Sequence, residues 1–177
     1  MKAAVLGDAG LEIRDVPRPV PKPDEVLVRV RAAGLNRADL LMSAGRKHGN
    51  LGGAGTVAGL EWSGEVAGVG ANVTGVREGD RMMCAGSGGY AEYAVADMGR
   101  VFPIPDNNMG FQQAATLPVG LSTMHDAIVS NGRLSAGEAV LIQGASSGVG
   151  LLGMQIAKEM GAGLVIGSST NAERRAR

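Results

Sequence analysis

The stretch that most restricts the fold of this chain runs from Ala139 to Ile166. Its first part, Ala139-Val140-Leu141-Ile142, is apolar without alternation, which predicts a strand covered on both faces. A turn of small residues follows, Gln143-Gly144-Ala145-Ser146-Ser147-Gly148-Val149-Gly150, then a helix from about Val149 to Met160, then a second apolar run, Leu164-Val165-Ile166. Strand, glycine turn, helix and strand open a parallel α/β sheet. Small side chains let the backbone approach a pyrophosphate, and the helix N-terminus supplies free N–H donors and the positive end of its dipole. In this setting the turn predicts dinucleotide binding, with Ala145, Ser146, Gly148 and Val149 as contacts.

A strict G-x-G-x-x-G is not met, because Ala145 and Ser147 stand at its first two glycine positions. Read as G-x-x-x-G-x-G over Gly144, Gly148 and Gly150, the turn matches the short-chain dehydrogenases. That family starts near this loop and catalyses with Y-x-x-x-K. Here some 140 residues precede the loop, and neither Tyr90 nor Tyr93 has a lysine four positions on. Order and missing groups disfavour that reading. About twenty residues past the glycines, an acidic residue would hold the ribose hydroxyls of NAD, whereas a basic one accommodates the 2′-phosphate of NADP. The chain has Gly167-Ser168-Ser169-Thr170-Asn171 there, then Arg174. Hydroxyls and a guanidinium suit a phosphate dianion, so the expected cofactor is NADPH, with Ser168 and Arg174 at the 2′-phosphate.

The N-terminal hundred residues have a different period. Leu11-Glu12-Ile13-Arg14-Asp15-Val16 begins in alternation, and Val26, Val28 and Val30 interleave with Leu27, Arg29 and Arg31, as half-buried strands do. Pro17, Pro19, Pro21 and Pro23 form a stiff connection between them that cannot donate to a ladder. The chain carries 29 glycines in 177 residues, well above the usual figure of about 7%. Fourteen of them lie from Gly45 to Gly89, among strand-like pieces such as Glu65-Val66-Ala67 and Arg81-Met82-Met83. Glycines at bulges and corners predict a small, strongly bent barrel, with a looser loop over residues 49–59. Beyond Pro103, Phe111 to Thr116 and Thr123 to Ser130 read as helices separated by Pro118 and stopped by Asn131-Gly132.

Seventeen Lys and Arg balance 17 Asp and Glu, which leaves no electrostatic footprint for nucleic acid. Apolar runs of five or six residues are too short for a membrane span or a signal peptide. Cys84, the single cysteine, cannot form an intrachain disulfide, so a cytoplasmic setting is expected. His48, His125 and Cys84, scattered along the chain, make a poor ligand set for a catalytic zinc.

Taken in order, Gly34-Leu35-Asn36-Arg37-Ala38-Asp39, Gly59-Leu60-Glu61, Gly79-Asp80-Arg81, Gly88-Gly89-Tyr90-Ala91-Glu92-Tyr93 and Ala114-Ala115-Thr116-Leu117-Pro118, closed by the glycine turn, resemble the medium-chain dehydrogenase/reductases. The likeness is to their zinc-independent, zeta-crystallin-like quinone oxidoreductase branch. The resemblance implies an α/β chain with a GroES-like β-barrel domain over residues 1–122 and the start of a doubly wound Rossmann sheet over residues 123–177. It places Asn36 where the zinc enzymes have a ligating cysteine and Leu60 where they have a histidine, so no metal is expected. It puts Asn36 and Thr123 beside the nicotinamide, as catalytic and cofactor-binding groups, with the Asn36 amide able to donate to cofactor or substrate.

The implied reaction is hydride transfer from NADPH to a quinone or another α,β-unsaturated carbonyl, in which conjugation spreads the developing charge onto an oxygen. An enoyl-thioester reductase of the same superfamily and a non-catalytic, crystallin-like module are the alternatives. Many relatives carry a substrate-facing tyrosine where this chain has Lys47. Family members are nearly twice as long and form homodimers. The 177 residues therefore read as an N-terminal portion, expected by itself to aggregate or bind NADPH weakly and to turn over little quinone.

Overall fold

The computed structural model describes residues 1–8, 10–46, 48–49, 51–105 and 108–175. Lys47 lies outside them. The chain divides into two compact units, Met1–Pro118 and Val119–Arg177.

In the first unit, β1 (Lys2–Gly7) pairs antiparallel with β2 (Gly10–Asp15). A five-stranded antiparallel sheet follows, built from β3 (Glu25–Ala33), β4 (Glu61–Val69), β5 (Arg81–Ala85), β6 (Tyr93–Asp97) and β7 (Val101–Pro103), in the order β6-β3-β4-β5-β7. The sheet is a curled half-barrel of the GroES-like kind, as the glycine excess predicts. Its bending has a local cause. The β3–β4 register shifts between Leu27 and Val28 and again between Val30 and Ala32, and bulges increase twist. Gly64, opposite Val30, lies against the Arg29 carbonyl so closely that any Cβ would collide with it.

Alternation along the strands fills the barrel. Val26, Val28, Trp62, Val66, Met82, Cys84, Ala94, Ala96 and Val101 form one core. Trp62 is fully buried, and Cβ atoms built at Gly86 and Gly89 would lie 2.8 Å and 2.7 Å from its indole carbons. Those two glycines are therefore the walls of the tryptophan slot. Ser63, also fully buried, donates from Oγ to the Phe111 carbonyl at 2.6 Å and anchors α2 (Phe111–Ala114) to β4. A short helix, α1 (Arg37–Ser43), leaves β3 after Asn36.

Cys84 sits in this core, and burial pushes its thiol from 9.0 up to about 12. A folded-state value above the unfolded one contributes stability that is complete below about pH 9 and is lost as pH rises towards 12. The thiol is expected to stay unreactive towards a disulfide reagent at pH 8 until urea unfolds the chain. Rapid labelling of the native protein would contradict this placement.

From the last residue of the first unit, α3 (Pro118–His125) runs into wider π-helical turns over Asp126–Asn131. The sequence predicts a break at Pro118 and a helix start at Thr123, but the helix begins at the proline itself. Its ring fixes a helical φ, and its missing N–H matters least at the first helical position. Then come β8 (Ala139–Gln143), α4 (Gly148–Glu159), β9 (Leu164–Ser168), parallel to β8, and the short α5 (Ala172–Arg175). Ile128, Ile142, Ala145 and Ala157 centre the core. Leu141, Leu164 and Ile166 remain 61%, 54% and 47% exposed. Among the described residues no helix is long and apolar enough to cross a membrane.

Candidate functional site

The glycine turn is shaped by three local devices. Gly144 has a φ of +70°, which a side chain resists, and it redirects the chain out of β8. Ser147 caps α4, its Oγ accepting the Gly150 N–H at 3.1 Å and donating to the Gly144 carbonyl at 2.8 Å. Gly150 packs the helix flush against the turn, where a Cβ would lie 2.5 Å from the Gly144 oxygen and 2.6 Å from the Ala145 Cα. The N–H groups of Gly148 and Val149, in the first turn of α4, have no acceptor within the helix.

The turn is tied to the end of β9. The Ala145 N–H donates to the Ser168 carbonyl at 2.9 Å, and the hydroxyls of Ser146 and Ser169 share a hydrogen bond of 2.7 Å. Beyond β9, Asn171 accepts the Arg174 N–H at 2.9 Å and starts α5. A cavity of about 690 Å³ results, walled on one side by Gly144, Ser146 and Ser147 and on the other by Ser168, Ser169, Asn171 and Arg174. Of the residues singled out by sequence, Ser146, Ser168 and Arg174 thus meet at one cavity. Ala145 is buried beneath the turn, and Gly148 and Val149 start the helix. Thr123 is exposed on α3. Ser147, Ser169 and Asn171 were missed as site residues; hydroxyl and amide side chains flanking a glycine turn and a strand end were the available signal.

Asn36 belongs to the other unit and is half-buried. Its backbone N–H donates to Asp39 Oδ2 at 2.8 Å, the acidic half of a capping box, while its Nδ2 donates to Glu61 Oε1 at 2.9 Å. The Tyr90 hydroxyl donates to Asp39 Oδ2 at 2.7 Å and lies 3.1 Å from the Gly34 carbonyl. Asp39 and Glu61 are 7% and 4% exposed. Burial first, then the Asp39 hydrogen bond and the charges of Asp39 and Glu61, hold the Tyr90 hydroxyl protonated well above the ordinary tyrosine range. Leu35 and Leu40, on either side of Asn36 in sequence, are 87% and 70% exposed and offer apolar surface. Among the described residues no group of three or more His, Cys, Asp or Glu side chains could hold a metal ion.

The family model for the alcohol dehydrogenase GroES-like domain matches residues 22–106, the stretch that builds the curled sheet. Quinone oxidoreductase from Mus musculus is 36% identical over 149 residues, 83% of this chain and 44% of that protein. Residues 22–106 thus carry the alcohol dehydrogenase GroES-like domain, in a chain similar to the medium-chain dehydrogenase/reductases. A phenolphthiocerol/phthiocerol polyketide synthase component from Mycobacterium tuberculosis is 40% identical over 166 residues, 93% of this chain and 7% of that protein. The crystal structure of CurK enoyl reductase superposes with a TM-score of 0.84 at 27% identity, covering 99% of this chain and 56% of that one. The chain thus spans less than half the length of these two sequence relatives. Among these relatives the mouse protein is a quinone oxidoreductase and CurK an enoyl reductase.

Proposed function

We propose that residues 1–122 form the substrate-side domain, and residues 123–177 the opening of the NADPH-binding domain, of an oxidoreductase acting on a quinone or another α,β-unsaturated carbonyl. The observation that carries the cofactor choice is the cavity joining Ser146, Ser168, Ser169, Asn171 and Arg174, which gathers hydroxyls, an amide and a guanidinium without a carboxylate. Such a donor set suits a phosphate dianion and lacks the acidic partner that a bare ribose diol prefers.

NADPH, when bound, supplies the hydride. The chain's own residues do the rest. The close approach at Gly150 and the free N–H groups of Gly148 and Val149 fit a pyrophosphate over the turn. Ser168 and Arg174 hold the 2′-phosphate, Asn36 and Thr123 face the nicotinamide end, and Leu35 and Leu40 suit an apolar acceptor. No step is assigned to a metal. By resemblance the full-length enzyme is a cytoplasmic homodimer.

Nicotinamide fluorescence titration tests the reading. NADPH is expected to bind at least about tenfold more tightly than NADH, and Arg174→Ala is expected to erase that preference while sparing NADH. Comparable affinities would overturn the 2′-phosphate assignment, and absence of any binding by the full-length protein would favour the crystallin-like structural reading. Enoyl-thioester reduction is the second reading, favoured by the likeness to CurK enoyl reductase. Comparing a quinone with an enoyl-CoA as hydride acceptor separates the two.

A further inference from the structure

We propose that Glu61 is a positioning residue for Asn36, its buried carboxylate determining which end of the Asn36 amide is presented to a ligand. The inference rests on the reading of Asn36 as a group that faces cofactor or substrate.

An asparagine amide has two nearly isosteric orientations, related by a half-turn about its last torsion, one offering oxygen and the other nitrogen. A carboxylate can only accept. With Glu61 Oε1 at 2.9 Å, the nitrogen must face Glu61; Oδ1, turned towards the Asp39 N–H of the capping box, keeps a lone pair for a ligand, and one N–H remains. The bond is charge-assisted and made by an acceptor that is 4% exposed, so it holds more firmly than one between neutral, solvated partners.

Glu61 is itself held in place. It starts β4, and the backbone of Gly34 passes so close that a Cβ there would lie 2.6 Å from Glu61 Oε1 and 2.7 Å from its Cγ, besides striking the Ala115 carbonyl. The other end of Asn36 is fixed separately, through its backbone N–H to Asp39, which the Tyr90 hydroxyl holds. Backbone and side chain of one residue are therefore clamped by two different buried carboxylates, drawn from α1 and β4. A residue that merely closed the turn after Gly34 would need only the first. The consequence is chemical: Asn36 meets a ligand chiefly as an acceptor, and its capacity to donate is reduced to one N–H.

Side-chain amide NMR of the intact, ¹⁵N-labelled chain tests this directly. The Asn36 pair, assigned by its disappearance in Asn36→Ala, is expected to show one N–H exchanging at least about tenfold more slowly than the other. That protection is expected to vanish in Glu61→Gln, whose amide can meet Asn36 in either orientation. Equal, fast exchange of both protons in the parent overturns the inference, whatever the chain does as an enzyme. In hydride transfer from NADPH to 1,4-benzoquinone by the full-length protein, Glu61→Gln is expected to lower kcat about tenfold while leaving the NADPH dissociation constant within about twofold. The same substitution is expected to add no further loss in the Asn36→Ala background. Independent, multiplicative losses would overturn the positioning role and leave the proposed activity standing. Absence of transfer by the full-length parent would count against the proposed activity, and the exchange measurement then decides the role of Glu61.

Discussion

Gly150→Val is expected to weaken NADPH binding by more than about 100-fold, with Gly150→Ala falling between it and the parent. A first carbon at this position already lies 2.5 Å from the Gly144 oxygen and 2.6 Å from the Ala145 Cα. Both atoms are backbone, so neither can swing aside as a side-chain end would. The helix must retreat from the turn, which also breaks the bond from the Gly150 N–H to Ser147 Oγ. Overpacking of this kind costs about 1–3 kcal/mol in an ordinary core, and more where only backbone can move. Valine's two further methyl groups deepen the conflict. Nicotinamide fluorescence gives the affinity and far-UV circular dichroism checks that α4 persists. Binding by the valine variant within threefold of the parent would contradict the assignment of the turn as the pyrophosphate seat.

Trp62→Ala is expected to destabilise the first unit by about 3–5 kcal/mol in urea, followed by circular dichroism. The indole is fully buried, and Gly86 and Gly89 are shaped to it, so neither can refill the space. Trp62→Phe is expected to cost far less. Its smaller ring leaves a partial void, but it also removes an indole N–H that finds no acceptor among the described residues. A loss below about 1 kcal/mol for the alanine variant would mean that the barrel closes over the vacancy, contrary to the rigid slot described above.

The parts of this molecule legible in sequence are those whose signal is local. The β8-turn-α4-β9 unit is readable because apolar runs, glycines and a serine cap all fall within thirty residues. Strands β2 and β3 are readable from alternation. Pro118 misleads because a proline that breaks a helix and one that starts it look alike until the following turn is known. Helix α1 is concealed in a stretch read for its family likeness, although Asn36 followed by Asp39 has the spacing of a cap and its acidic partner. The clamp on Asn36 is largely illegible. Glu61 is 25 residues away from it, and Tyr90 is 51 away from Asp39; only the closing of the half-barrel brings these side chains together. Glycine abundance gives warning of close approaches without saying to what. The structure supplies the partners: indole carbons for Gly86 and Gly89, a carboxylate for Gly34 and a carbonyl for Gly64.

Trp62 is the only tryptophan in the chain, and it lies wholly inside the Met1–Pro118 unit. Its emission therefore reports on the barrel alone, blue-shifted while the indole is dry and moving red only when that sheet opens. The helical signal of α4 comes from the other unit. Circular dichroism also takes in the strands and short helices of the barrel, so on one urea series the part of its change that does not follow the tryptophan belongs to that other unit.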